Sequence, residues 1–370
     1  MAILLAAADP QDELQLKHLF FIAQELKKRG YPFYFQTNPG NKLSSQARLS
    51  GFQVLNFKPG NSGGWLANWR LSRKIKKNRV DLIHFFDGEA LAFALKASQK
   101  AEVKIKLASV KTDWLRSISP GNIRLLDALI CPTEESKRQW LKSDPGVKTI
   151  EVIPPGLDFS RYQNKQKKNF LREELGLKED DFLVGLLTPL EDLKMFREQI
   201  EALKILNGQA PRLKVIVFGQ GNLHLEQLRH EPPLDIHNLY FYLGFEEKRA
   251  EILASLDMFI FGAFSLPQAY LLEAMASKVP VVGIMAPGMT ELIINRETGF
   301  LVPPNDPQSL AQAVLKIYLD RSLAQQLAQQ AYNLVFNKHS CEAMAEKVVN
   351  HYELLALQKG VKLGREGHHT

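Results

Sequence analysis

Several residues in this chain have chemistry to offer. Glu273 is the single carboxylate in the largely small and apolar stretch LLEAMASKVPVVG, from Leu271 to Gly283, which also holds Lys278. An ionised carboxylate can accept two hydroxyl hydrogen bonds, and a plain surface glutamate on a helix is the simpler alternative. Gly219 and Gly221 follow the apolar run Val215 to Phe218. Glycines there let backbone approach a bound molecule closely, and a short Gly-x-Gly also serves as a turn. Trp65 to Arg79, WLANWRLSRKIKKNR, carries six cationic side chains after Trp69. Trp65, Leu66, Trp69 and Ile75 can form a loose apolar strip beside them, and basic amphipathic helices with tryptophan lie on anionic membrane surfaces. A helix that covers a sheet and solvates its basic edge explains the same residues. The two cysteines, Cys131 and Cys341, are far apart and have neither metal-ligand spacing nor a disulfide framework.

These residues must be positioned by elements, and the apolar pattern predicts them. Strands are expected at Ile3 to Ala8, Pro32 to Thr37, Gln53 to Phe57, Leu82 to Phe86, Ile105 to Val110 and Leu129 to Pro132. Helices are expected at Gln15 to Arg29, Trp65 to Lys77 and from Glu134. IPPGLD at Ile153 to Asp158 and the basic stretch Asn164 to Asn169 mark a linker. The alternation then restarts, with strands at Phe182 to Leu187, Leu213 to Phe218, Leu239 to Leu243, Met258 to Phe261, Val279 to Gly283 and Gly299 to Val302. Helices are expected at Lys194 to Asn207, Ser309 to Leu319, Leu323 to Phe336 and Glu342 to Gln358.

Strands alternating with helices imply parallel sheets covered on both faces, here two doubly wound Rossmann-like domains facing across a cleft. The domains are expected at 1–155 and 156–341, with the helix at about 342–358 packing back toward the first domain and 360–370 disordered. In such sheets ligands bind outside the carboxyl ends of strands, at switch points. Binding proteins, epimerases and transferases all use this plan, so it selects no function.

Composition narrows the classes. The 370 residues are 45% apolar and 24% charged, ordinary for a globular protein of two domains. The net charge of +7 favours anionic partners or is plain surface charge, and no nucleic-acid motif accompanies it, so nucleic acid is not expected as a partner. No apolar run is long enough to span a bilayer. The start, MAILLAAADPQDE, turns acidic at once and reads as a buried strand, not a signal peptide. With the cysteine usage, this predicts a cytoplasmic protein.

Several segments of the second half resemble, in content and order, the retaining GT-B glycosyltransferases of family four (glycosyl transferases group 1). They are IPPGLD, VIVFGQGNL at Val215 to Leu223, and YFYLGFEEKRAEILASLDMFIFGAF at Tyr240 to Phe264. LLEAMASKVPVVG and TELIINRETGFLVPPNDPQSLAQAV at Thr290 to Val314 complete the set. The first half matches in outline, through IHFFD at Ile83 to Asp87 and DALICPTEESKRQWL at Asp127 to Leu141.

The resemblance implies a nucleotide-sugar donor and a saccharide or lipid-linked acceptor, with no cofactor. Glu273 matches the second of the family's two glutamates and would hold the ribose diol, near a helix start whose amides could face the diphosphate. Gly219 and Gly221 would lie against the donor. The family's arginine and lysine fall here on Leu186 and Glu191, so Lys194 is the candidate replacement cation. The first glutamate's place holds Ser265, and the glycine-rich loop after it reads Leu266, Pro267, Gln268, Ala269. Ser265 and Gln268 could hydrogen-bond a different sugar. Lys111 stands where the family commonly has a histidine, and is the candidate cation from the first domain. The glycine-rich loop after the first strand is absent from AAADPQDELQ. With no acidic metal-binding motif, diphosphate stabilisation without metal is expected. Losing one positioned donor can cost about 2.7 to 4 kcal/mol of transition-state stabilisation. Several losses together leave two expectations open: a glycosyltransferase with an altered donor site, peripheral on the membrane through Trp65 to Arg79, or a catalytically inactive GT-B pseudoenzyme serving as a binding or scaffold subunit.

Overall fold

Ala2–Ala6 is a run of five apolar residues, and in the computed structural model all five are buried in strand β1. Continuous apolar runs of this kind suit strands covered on both faces. The structure describes residues 2–10, 13–56, 64–110, 119–143, 146–147, 149–162, 170–189, 192–206, 208–218, 239–241, 248–262, 268–285 and 289–362. They form two compact units, Met1–Gly156 with Cys341–Thr370, and Leu157–Ser340.

In the first unit β1 is followed by α1 (Glu13–Lys28), β2 (Phe33–Thr37), α2 (Lys42–Leu49), β3 (Val54–Asn56), α3 (Gly64–Lys77) and β4 (Val80–Phe85). Next come α4 (Gly88–Lys100), β5 (Ile105–Ser109), the short α5 (Pro120–Ile123), β6 (Ala128–Cys131), α6 (Glu134–Lys142) and β7 (Thr149–Val152). The strands pair in the order β3-β2-β1-β4-β5-β6-β7, all parallel. Leu5 of β1 lies between Phe35 of β2 and His84 of β4. The direction of strand succession therefore reverses between β1 and β4, which is the switch point of a doubly wound sheet.

The second unit contains α7 (Phe170–Glu174), β8 (Phe182–Leu187), α8 (Leu193–Ile205), β9 (Leu213–Phe218), β10 (Leu239–Phe241), α9 (Arg249–Ser255), β11 (Met258–Phe261) and α10 (Ala269–Ala276). It continues with β12 (Val281–Ile284), α11 (Met289–Leu292), β13 (Phe300–Val302), α12 (Pro307–Leu319) and α13 (Arg321–His339). Its parallel sheet runs β10-β9-β8-β11-β12-β13, with the switch point between β8 and β11. Acidic caps start several helices: Asp192 accepts from the Met195 amide, Asp306 from Ser309 and Asp320 from Leu323.

The last helix, α14 (Cys341–Gln358), belongs to the first unit. Its Met344, Ala345, Val348, Val349, Tyr352 and Leu355 join the core built by Ile3, Leu19, Ile22 and Phe35. Arg29, just past α1, reinforces this seam by reaching Asn350 and Glu353 of α14. The disorder expected from Gly360 onward is corrected at its start. Gly360 adopts φ +64°, as a helix-ending glycine does, and Val361 is buried with its amide bonded to Ala356 O. The remainder of that expected tail, 363–370, lies outside the described residues.

Candidate functional site

Chain leaving the carboxyl ends of β8 and β11 builds the candidate site in the second unit. Leu187 pairs with Phe261 at the last position of the two strands. Just beyond, the Gly262 amide donates to Leu187 O at 2.8 Å, and the Thr188 amide donates to Phe218 O at 3.0 Å. Gln199 of α8 donates through Nε2 to Gly262 O at 2.6 Å. A Cβ at position 262 would stand 2.6 Å from Gln199 Nε2 and 2.7 Å from Leu187 O, so this close crossing requires glycine. Among the described residues, Thr188 Oγ1 and Gln199 Oε1 are buried at this crossing with no hydrogen-bond partner. Neither residue is conspicuous in the sequence.

Helix α10 begins a few residues after Gly262 and carries Glu273. The side chain is buried, at 5% exposure, which removes the surface-glutamate alternative. Arg249 Nε, on the first residue of α9, lies 3.2 Å from Glu273 Oε2. The Tyr162 hydroxyl is hydrogen-bonded to the same carboxylate. Burial, then the charge of Glu273 and the hydrogen bond to it, push the Tyr162 hydroxyl far up, so it stays protonated and donates. The Arg249 guanidinium lies over the Tyr270 ring, 5.1 Å from its centroid. A buried carboxylate costs several kcal/mol unless it is paired, and these two partners supply the pairing.

Of the other sequence candidates, Gln268 and Lys194 are among the described residues. Gln268 is the exposed residue that precedes α10, and its side chain makes no capping bond. Lys194, in the first turn of α8, is 83% exposed and lies 4.0 Å from Glu198. Leu186 is fully buried in the core between β8, α8 and α12. Lys111, Gly219, Gly221, Ser265 and Glu191 lie outside the described residues. Sequence reasoning missed Arg249 and Tyr162, whose link to Glu273 depends on tertiary structure.

At the matching switch point of the first unit, one carboxylate braces the chain. Asp87 follows β4 and caps α4, accepting from the Ala90 amide at 2.6 Å through Oδ1. Its Oδ2 accepts from the Ala8 amide at 2.7 Å, just past β1. Ala8 O in turn accepts from Thr37 Oγ1 and Asn41 Nδ2. One carboxylate thus ties down the β1 end, where the sequence lacks a glycine-rich loop. Asp before a helical pattern is a capping signal, so this role was readable.

The basic helix α3 divides its apolar residues between two faces. Leu71 and Ile75 are fully buried in the core with Leu4 and Ile83. Trp65, Leu66 and Trp69 remain exposed, at 67%, 50% and 42%. The expected strip is therefore corrected: Ile75 covers the sheet and is not part of the surface patch. Arg73 lies over the Trp69 ring at 4.7 Å, so cation and aromatic share one surface. Among the described residues no helix is long and apolar enough to cross a membrane.

Two parallel sheets with flanking helices, each reversing direction at a central pair of strands, define a two-domain Rossmann-like α/β protein. Family models match on both sides of the unit boundary: Glycosyltransferase Family 4 over residues 17–161 and Glycosyl transferases group 1 over residues 167–334. The chain belongs to the family-four glycosyltransferases of GT-B fold. It is similar to the Escherichia coli UDP-Gal:alpha-D-GlcNAc-diphosphoundecaprenol alpha-1,3-galactosyltransferase, 24% identical over 311 residues, 78% of this chain and 79% of that protein. It is also 24% identical over 218 residues to the Bacillus anthracis N-acetyl-alpha-D-glucosaminyl L-malate synthase, spanning 56% of this chain and only about half, 55%, of that relative's length. In fold it is similar to Anabaena HepE, solved with UDP and glucose, at TM-score 0.60 and 21% identity, covering 96% of this chain and 100% of the other.

Proposed function

We propose that the protein transfers a sugar, with retention of configuration, from a nucleotide-sugar donor to a saccharide or lipid-linked acceptor. The observation that carries this is Glu273, a buried carboxylate on the helix that follows the switch point of the second sheet. A ribose diol is a pair of hydroxyl donors, and an oriented carboxylate is the acceptor it wants. Relatives with galactosyltransferase and N-acetylglucosaminyl synthase names, and a neighbour holding UDP, support the substrate class. The diphosphate is met by protein groups without a metal. Lys194, Gly219, Gly221, Ser265 and Gln268 remain the proposed donor contacts, and Lys111 the proposed cation from the first unit. The exposed Trp65, Leu66 and Trp69 amid arginines and lysines support peripheral contact with an anionic membrane.

A second proposal competes: a subunit that keeps the fold without turnover. It is favoured by Leu186, which is core where the family places a cation. A thermal-shift series with UDP, GDP and their sugar conjugates, followed by a sugar-release assay in EDTA, separates the two. A ligand that binds only the folded state must raise the melting temperature. A shift with release supports transfer, whereas no shift with any nucleotide at saturating concentration sinks it.

A further inference from the structure

Glu273 is approached by two side chains that no sequence pattern links to it. Tyr162 follows the short turn Phe159–Arg161, where the chain enters the second unit. Arg249 opens α9, on the far side of β9 and β10 in sequence. Both converge on one carboxylate, Arg249 at 3.2 Å from Oε2 and Tyr162 through its hydroxyl. Arg249 is itself oriented, because its guanidinium lies on the face of Tyr270, a neighbour of Glu273 on α10. A planar guanidinium fixed on an aromatic face offers its N–H groups in set directions, unlike a freely rotating ammonium. A carboxylate held from two sides has lost its rotamer freedom before any ligand arrives, and such preorganisation lowers the cost of binding.

We propose that Arg249 and Tyr162 are positioning residues that hold the Glu273 carboxylate in the orientation that accepts the two hydroxyls of a nucleotide's ribose. This rests on the nucleotide reading of Glu273 given above. The rival explanation is that the pair only neutralises a buried charge, which would affect stability and not ligand discrimination.

The test compares UDP with 2′,3′-dideoxyuridine diphosphate by titration calorimetry on the full chain, with GDP and its dideoxy form as the second pair. The two ligands of a pair differ only in the hydroxyls that Glu273 would accept. Wild type is expected to prefer the ribonucleotide by roughly tenfold or more, the scale of hydrogen bonds to a charged group. Tyr162→Phe and Arg249→Gln should each weaken the ribonucleotide about five- to tenfold and leave the dideoxy ligand nearly unchanged. Arg249→Lys, which keeps the charge, should retain part of the preference and carries the test if Arg249→Gln does not fold. Equal losses on both ligands overturn the positioning role. Collapse of the preference in Glu273→Gln alone, with both partner variants like wild type, also overturns it while leaving the nucleotide reading intact. A Glu273→Gln protein that discriminates like wild type, or a wild type that binds neither ribonucleotide, overturns that reading and the proposal with it.

Discussion

The His84 imidazole, on the fourth strand, places Nδ1 2.6 Å from the Tyr352 hydroxyl on the last helix, across 268 residues of sequence. Its other nitrogen, Nε2, lies 2.8 Å from Ser109 Oγ at the end of β5. His84 and Tyr352 are fully buried, and their rings meet edge to face. A polar chain inside an apolar core fixes register as well as adding stability, because each unpaired member costs its own desolvation. Tyr352→Phe keeps the ring and removes the hydroxyl, leaving one imidazole nitrogen of His84 unpaired. A stability loss of about 1 to 3 kcal/mol is expected, read as a lower denaturant midpoint at unchanged slope. A midpoint equal to wild type would show that the bond contributes nothing net.

Acid should destabilise the first unit below the ordinary histidine range. Burial, followed by the charge of nearby His351, holds His84 well below 6.5, and burial lowers His351 against the opposing pull of Glu151. With folded values below the unfolded one, the unfolded chain binds more protons as pH falls. The stabilising contribution is therefore complete above about 6.5 and lost progressively below it, approaching about 1.4 kcal/mol per pH unit for each histidine. Burial raises the carboxyls of Asp87 and Asp257, which run in the opposite sense from 3.8 upward. A matched comparison cancels them: His351→Leu should flatten the fall in melting temperature between pH 7.5 and 5.5. Among the described residues His351 Nε2 is buried with no hydrogen-bond partner, so the same substitution should cost little at pH 7.5. A variant with the wild-type slope would rule out His351 as a contributor.

Gly262→Ala should be among the more damaging single-methyl additions in the second unit. The new Cβ meets the Leu187 carbonyl at 2.7 Å, and backbone oxygen cannot swing aside as a side-chain tip can. Strain of overpacking, about 1 to 3 kcal/mol, adds to any loss of the Gln199 bond to Gly262 O. Thermal unfolding would report the strain. Nucleotide binding should weaken in parallel, since α10, which carries Glu273, follows this crossing in the chain.

Membrane contact has its own readout. Vesicles containing anionic lipid should co-sediment the protein, and changing Arg73, Lys74, Lys76 and Lys77 together to glutamate should abolish that. Each basic residue near an anionic surface contributes about 1 kcal/mol, so four reversals exceed any plausible binding margin. Unchanged sedimentation would remove α3 as the contact. Leu71 and Ile75 stay untouched, so the sheet keeps its cover.

Much of the fold was legible because both sheets are parallel and buried. Phe182–Leu187, Met258–Phe261 and, apart from Lys214, Leu213–Phe218 are apolar runs of strand length, and they form where the pattern places them. β7 was not, since Thr149–Val152 alternates a glutamate with apolar residues and stays partly exposed at the sheet edge. Strand β12 is shifted from Val279 to Val281 because Pro280 has no amide to donate to a ladder. At the site, Glu273 was legible from LLEAMASKVPVVG, a local pattern. Arg249 sits in the charged segment EEKRAE, indistinguishable there from solvated surface. Tyr162 reads as one more aromatic after a turn. Their meeting with Glu273 depends on how α9, α10 and the entering chain converge, which no local pattern records. The strip on α3 failed for a related reason: Ile75 and Trp69 share a helix but face different surroundings.

The chain passes into the second unit after Gly156 and back at Cys341. At the point of return, the Leu157 amide donates to His339 O and Leu157 bridges Ser340, so the second unit's two ends are stapled side by side. Topologically it is a loop inserted into the first unit, contiguous and closed at its own neck. During synthesis the host's strands emerge first, yet the whole insert emerges before the host can be completed, because the face of α14 that fills the host's core follows the insert in the chain. The unit begun first is thus the one finished last. Until α14 docks, the surface of α1 that it covers stays open to solvent, a period of vulnerability for the nascent chain that its linear order makes unavoidable.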